Sequence, residues 1–245
     1  MTSSTAGSAA SSTSPPLPAA VLWDMDGTLV DTEPLWLRAE TDLVTEHGGR
    51  WTLEDGLSLV GNPLIVSGRT IVERTGIRLS PQQVVDALLV RMVAAVRSAP
   101  PFRPGARELL EECVAAGVPA ALVTMSYADL AGAVVDALPP GTFTTVVTGD
   151  AVVHGKPHPE PFLTAAARLG VDPSRCVALE DSVPGVASAE AAGCRVVAVP
   201  LHVPLDDAPG RSRVRDLRRI GLADLAHVAA GRTIDDADPA GVVVS

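Results

Sequence analysis

Asp24-Met25-Asp26-Gly27-Thr28 sets two carboxylates two residues apart, directly after the apolar run Ala19-Ala20-Val21-Leu22-Trp23. A buried strand ending in this way presents them where ligands meet doubly wound α/β proteins, beyond the carboxyl ends of the strands. There one carboxylate can attack an electrophile while the other moves protons.

Three further polar groups stand at the ends of predicted strands. Thr124 follows the run 118–123, Lys156 lies between helix breakers in Gly155-Lys156-Pro157-His158-Pro159, and Glu180-Asp181 follow the run 176–179. In a parallel sheet these ends share one edge, so residues remote in sequence converge on Asp24 and Asp26. Lys156 is the only lysine among 19 basic residues. Its compact ammonium can approach a phosphoryl oxygen and a carboxylate together, which the broad fork of arginine does less readily.

The elements that must position these groups are legible in the hydrophobic pattern. Expected helices over 105–116, 127–138, 159–169 and 183–192 alternate with short Val/Ala/Leu runs at 118–123, 144–147, 176–179 and 195–199. Continuous apolar runs separated by helices are the signature of buried parallel strands covered on both faces. The segment 33–102 instead reads as helical throughout, with Pro34 and Pro81 in first turns, Gly48-Gly49 as a stop, and no strand. The expected fold is thus an α/β Rossmann-like parallel sheet of five or more strands, with a small all-helical cap inserted after the first. The expected divisions are a disordered tail over 1–18, a core over 19–32 and 103–231, the cap over 33–102, and a loosely held tail over 232–245, where Val242-Val243-Val244 could add an edge strand.

A formal net charge of −10 opposes nonspecific binding to nucleic acid. The Arg211 to Arg219 cluster reads as a solvated helical face because Asp206, Asp207 and Asp216 are interspersed with it. No stretch approaches the roughly 20 apolar residues of a membrane span. The first eighteen residues lack the basic start and apolar centre of a secretory signal. Three cysteines without a CxxC pair argue against a disulfide framework. A monomeric cytoplasmic enzyme, binding neither nucleic acid nor membrane, is the expectation. Calcium and zinc fit the local spacing poorly. Counting from Asp24 as the first position, Gly27 is fourth where an EF-hand loop needs it sixth, and Gly155 and Pro157 break the helix that would align His154 with His158.

These residues resemble the haloacid dehalogenase superfamily, in its helical-cap branch of sugar-phosphate phosphatases and β-phosphoglucomutase. The matched motifs occur in order: the DxDGT of Asp24 to Thr28, Thr124, Lys156-Pro157, and Glu180-Asp181-Ser182. The resemblance implies a phosphomonoesterase acting on a small phosphorylated metabolite such as a sugar or polyol phosphate. Asp24 is then the nucleophile that forms an aspartyl phosphate, and Asp26 the general acid and base. Thr124, Lys156 and the backbone N–H of Met125 at a helix start would hold the phosphoryl oxygens. Mg²⁺ would be bound by Asp24, Asp181 and the carbonyl of Asp26, with Glu180 acting through water. Ser182 reads as a helix cap.

In the cap, Glu33 could bind a hydroxyl and Trp36 could pack on a sugar face, while helix-end charge and cap core account for them equally well. Arg69 could supply a displaced cation, although an exposed helical arginine is the simpler reading. Gly61 is followed by Asn62-Pro63-Leu64 rather than the arginine of the mutases, and Trp36 stands where they carry histidine. Both features favour hydrolysis over the alternatives of a sugar phosphomutase or a catalytically silent phosphate-binding protein.

Overall fold

The computed structural model describes residues 15–59, 62–236 and 243–244, so residues 1–14 of the expected tail over 1–18, Gly61 and most of 237–245 lie outside the described residues. Five strands carry the site: β1 (Ala20–Trp23), β2 (Ala120–Val123), β3 (Thr145–Val147), β4 (Cys176–Glu180) and β5 (Arg195–Ala198). Three two-residue strands extend the sheet: β6 (Ser212–Arg213), β7 (Ile234–Asp235) and β8 (Val243–Val244). The order is β3-β2-β1-β4-β5-β6-β7-β8, parallel except for antiparallel β8. Trp23 is level with both Leu122 and Leu179, so the next residue of each strand reaches the carboxyl edge together.

Alternation along the strands divides the core into two. Val21, Trp23, Leu122 and Leu179 face one cluster, whereas Ala20, Leu22, Ala121 and Ala178 face the other. The alanines let α7 (Glu160–Leu169) and α8 (Val183–Ala191) approach the sheet through Phe162, Ala165, Val186 and Ala189. Covering both faces is what a parallel sheet requires.

Between β1 and α5 (Ala106–Ala115) the chain forms four helices, α1 (Glu33–Glu46), α2 (Leu53–Leu57), α3 (Leu64–Thr75) and α4 (Pro81–Ser98). The start of α4 is set by Pro81 in its first turn and by a reciprocal cap, in which Ser80 Oγ accepts from the Gln83 amide and Gln83 accepts from the Ser80 amide. Val84, Val85, Leu88, Leu89, Met92 and Val96 form its buried stripe, which packs on α1, on α3 and on α6 (Ala128–Val135) of the sheet layer. A Cβ on Gly56 would stand 2.2 Å from Leu37 Cδ2, so α2 lies on α1 as closely as its glycine allows. The two linkers of this insert are paired: Val30 bridges Phe102, the Asp31 amide donates to Pro101 O at 2.8 Å, and the Arg103 amide donates to Leu29 O at 2.9 Å.

Two expectations for the C-terminal part are corrected. The Arg211 to Arg219 stretch is no helical face: it contains β6 and a 3₁₀ turn over Leu217–Arg219, started by Asp216 accepting from the Arg218 amide. Its charges are matched by carboxylates remote in sequence, Arg211 by Glu190 at 2.8 Å, Arg213 by Asp235 at 3.5 Å, and Arg219 by the buried Asp236. Nor is the chain loose directly after Arg232, since Ile234 and Asp236 are fully buried, β7 pairs with β6, and Val243–Val244 does add the edge strand. The three cysteines are buried and free. Among the described residues no helix is long and apolar enough to cross a membrane.

Glu40 is a buried carboxylate within the insert, 5% exposed, whose Oε2 accepts from Trp51 Nε1 at 3.0 Å. Burial pushes its carboxyl up to about 7 from 4.5, and the charge of Glu33 on the same helix adds to the shift. A carboxyl raised on folding contributes stability that is complete below the unfolded value and lost as pH rises through about 7. The loss amounts to at most about 3 kcal/mol. Glu40→Gln keeps an acceptor for Trp51 and cannot ionise, so it should exceed wild type in stability by about 1–3 kcal/mol at pH 8 and by little at pH 5. Urea denaturation at the two pH values checks this; an equal difference at both would refute it.

Candidate active site

Asp24 leaves β1 with its amide bonded to Leu179 O at 3.0 Å, which seats it beside Glu180. Lys156 then ties them together. Its Nζ donates to Asp24 Oδ1 at 2.6 Å, to Glu180 Oε1 at 2.6 Å and to Val123 O at 2.9 Å. These acceptors use all three ammonium protons. Burial alone would lower the Lys156 ammonium, but Asp24 and Glu180 outweigh it and raise it above the ordinary lysine value. In this arrangement the Lys156 ammonium fixes two carboxylates. Asp24 Oδ2 is buried and without a hydrogen-bond partner.

Asp26 is held by three hydroxyls. Thr32 Oγ1 donates to its Oδ1 at 2.6 Å, while Ser126 Oγ and Thr124 Oγ1 donate to Oδ2 at 2.7 and 3.1 Å. Burial raises its carboxyl most, with the Asp24 charge adding to it, and the three hydroxyls act in the opposite direction. Thr32 and Ser126 were absent from the sequence-derived site. Thr32 reads as an N-cap of α1, yet its side chain caps nothing because it is turned to Asp26. The spacing of Thr124 and Ser126, two apart at the end of a strand, was an available signal for the second. Met125 lies in the loop before α6 rather than at a helix start, because the Ser126 amide donates to Thr124 Oγ1 at 2.9 Å and Tyr127 is the helix cap.

Glu180 is the last residue of β4, not the first after it. Its second oxygen accepts from the Asp181 and Ser182 amides at 3.1 and 3.2 Å and from Ser182 Oγ at 3.0 Å. Ser182 in turn caps α8. Asp24, Glu180 and Asp181 each offer a carboxylate oxygen within 4.8 Å of the others. Burial first, then Asp24, raises both neighbours, Glu180 to about 7 and Asp181 to about 9. Gly27 makes room for this packing: at φ 88°, its absent Cβ would stand 2.0 Å from Asp181 Oδ2. Three crowded carboxylates against one ammonium, with one oxygen orphaned, fit an oxygen-ligated divalent cation.

Of the cap residues, Glu33 opens α1 half-buried, its carboxyl raised by burial and, against the charge of His202, by Asp26. Trp36 is half-buried against the larger core cluster, and Arg69 is exposed on α3. Glu33, Trp36 and Glu40 are spaced to share one face of α1.

An aspartate pair and a lysine at the carboxyl edge of a parallel sheet, under a helical insert, define a hydrolase class. The chain belongs to the haloacid dehalogenase-like hydrolases, whose family model matches residues 18–193. It is 34% identical to hexitol phosphatase B of Escherichia coli over 84% of this chain and 93% of that protein. It is 33% identical to the fructose-1-phosphate phosphatase YqaB of the same organism, over 75% and 97% respectively. Among solved structures, CbbY from Rhodobacter sphaeroides in complex with phosphate superposes with a TM-score of 0.74 at 28% identity, covering 85% of this chain and 99% of CbbY.

Proposed function

We propose that this phosphatase is a Mg²⁺-dependent phosphomonoesterase acting on a sugar or polyol phosphate through an aspartyl phosphate on Asp24. The observation that carries the reading is the state of Asp24, with one oxygen held by Lys156 and the other buried and free. Asp24 attacks phosphorus in line, the P–O bond to the substrate breaks, and Asp26 gives its proton to the departing alkoxide. Asp26 then takes a proton from water, whose oxygen attacks the aspartyl phosphate and returns Asp24 as a carboxylate. The hydroxyls around Asp26 keep its carboxyl in place through both proton movements.

Lys156 orients Asp24 for attack, while Thr124 and the Met125 amide line the phosphoryl side. Asp24, Asp181 and the Asp26 carbonyl would hold Mg²⁺, with Glu180 behind them, and the cation supplies neutralising charge for the phosphoryl group. Glu33, which feels the charge of Asp26, and Trp36, three residues further along α1, read the hydroxylated end of the substrate. The names of hexitol phosphatase B and fructose-1-phosphate phosphatase support a polyol or sugar phosphate as that substrate.

Phosphate release from a panel of hexitol and hexose phosphates, with Mg²⁺ and with chelator, tests the proposal. Release that depends on Mg²⁺ is expected. Silence across the panel, or rapid isomerisation of β-glucose 1-phosphate with negligible phosphate release, would overturn it.

A further inference from the structure

Arg103 is a cation that none of the steps above uses. It sits in the outgoing linker of the insert, two residues before the glycine that starts α5, and is only 7% exposed. Removing a guanidinium from water is costly unless its surroundings compensate. Its contacts are unusual for a buried arginine, because Nη1 donates to two backbone carbonyls, Gly27 O and Val199 O, the latter at 2.9 Å. The balancing carboxylates Asp181, Asp31 and Asp216 act on it as charges only.

Both carbonyls matter by position. Gly27 lies between Asp26 and Thr28 in the catalytic loop, at the one point where Asp181 leaves no room for a side chain. Val199 follows β5, and its amide bonds Glu180 O at 2.7 Å. Arg103 therefore joins the loop after β1 to the segment after β5, across the edge of β4 that carries Glu180 and Asp181. Its own backbone belongs to the paired linkers, where the Arg103 amide meets Leu29 O and Phe102 bridges Val30. The insert thus joins the core through residues adjacent to Arg103.

We propose that Arg103 is a positioning residue, an anchor at the junction of insert and core that holds the Gly27 carbonyl, and with it Asp26 and Asp181, in register. The proposal rests on the phosphatase reading, since it is that reaction whose geometry the anchor preserves. Arg103 need not touch substrate. Its loss acts through the loop, so kcat should fall while KM changes little, because a catalytic group displaced by about 1 Å can cost on the order of 100-fold in rate.

The test compares Arg103→Met, Arg103→Lys and, as a control for destabilisation alone, Leu109→Ala in the buried face of α5. Arg103→Met should lower kcat by about 10- to 100-fold with KM within about threefold of wild type. Arg103→Lys, which keeps the charge and can reach one carbonyl, should recover part of the rate. In metal-free protein, hydrogen exchange at the Gly27 and Val30 amides should accelerate at least about tenfold in Arg103→Met and remain at the wild-type rate in Leu109→Ala. Arg103 variants that lose only thermal stability, with kcat and exchange at residues 27–30 as in the control, would overturn the proposal. If Arg103→Met does not fold, Arg103→Gln, which removes the charge and shortens the reach, decides it: kcat and exchange both within twofold of wild type refute the anchor. Absence of phosphate release by wild type would sink the phosphatase reading instead, and the exchange comparison would still judge Arg103.

Discussion

Asp24→Asn should abolish phosphate release, by at least about 1,000-fold, and leave the fold intact. The amide has the shape of the carboxylate without its nucleophilic oxyanion, so no aspartyl phosphate can form. Stability should not suffer. Lys156 keeps Glu180 and Val123 O as acceptors, and one negative charge is removed from a group of three carboxylates within 4.8 Å. The melting temperature should accordingly equal or exceed that of wild type. Release within tenfold of wild type, by protein whose mass excludes deamidation, would remove Asp24 from its assigned role.

Lys156→Met should lose both activity and stability. Methionine fills the lysine channel beside Phe162 but leaves Asp24 and Glu180 buried with no cation between them. Breaking a buried pair from one side typically costs about 3–5 kcal/mol, because the remaining charge keeps its desolvation and loses its partner. The sign of the pH dependence follows from the carboxyls. The Glu180 carboxyl, already raised to about 7, rises further without the ammonium, so the folded protein binds its proton more tightly than the unfolded chain and the deficit grows from pH 5 to pH 8. Urea denaturation at both pH values, with a phosphate assay, measures the two losses. A deficit under about 1 kcal/mol at pH 8 would show that the lysine is not what holds these carboxylates.

Much of this arrangement was legible in the sequence because its signals are local. Strand runs such as Ala120–Val123 and 176–179 are apolar throughout, and Lys156 stood out as the single lysine between helix breakers. What escaped depends on pairing across the chain. β6 and β7 have two residues each, too few for any periodicity, and the arginines from Arg211 to Arg219 look like a basic face until Glu190, Asp235 and Asp236 fold against them. Thr32 carries an ordinary capping pattern, and only the fold shows its hydroxyl spent on Asp26. Arg103 is one arginine among many in the sequence, and nothing local says that it is buried on two carbonyls.

The lone lysine has a consequence for covalent chemistry at the surface. The other 18 Lys/Arg positions carry a guanidinium, which amine-directed acylating reagents leave alone, and the single side-chain amine is 5% exposed with all its protons engaged. The folded exterior is thus inert to side-chain lysine modification, whether by a reagent or by an acetyl-transferring enzyme. Acylation of Lys156, when it occurs, is a clock for the opening of the site itself.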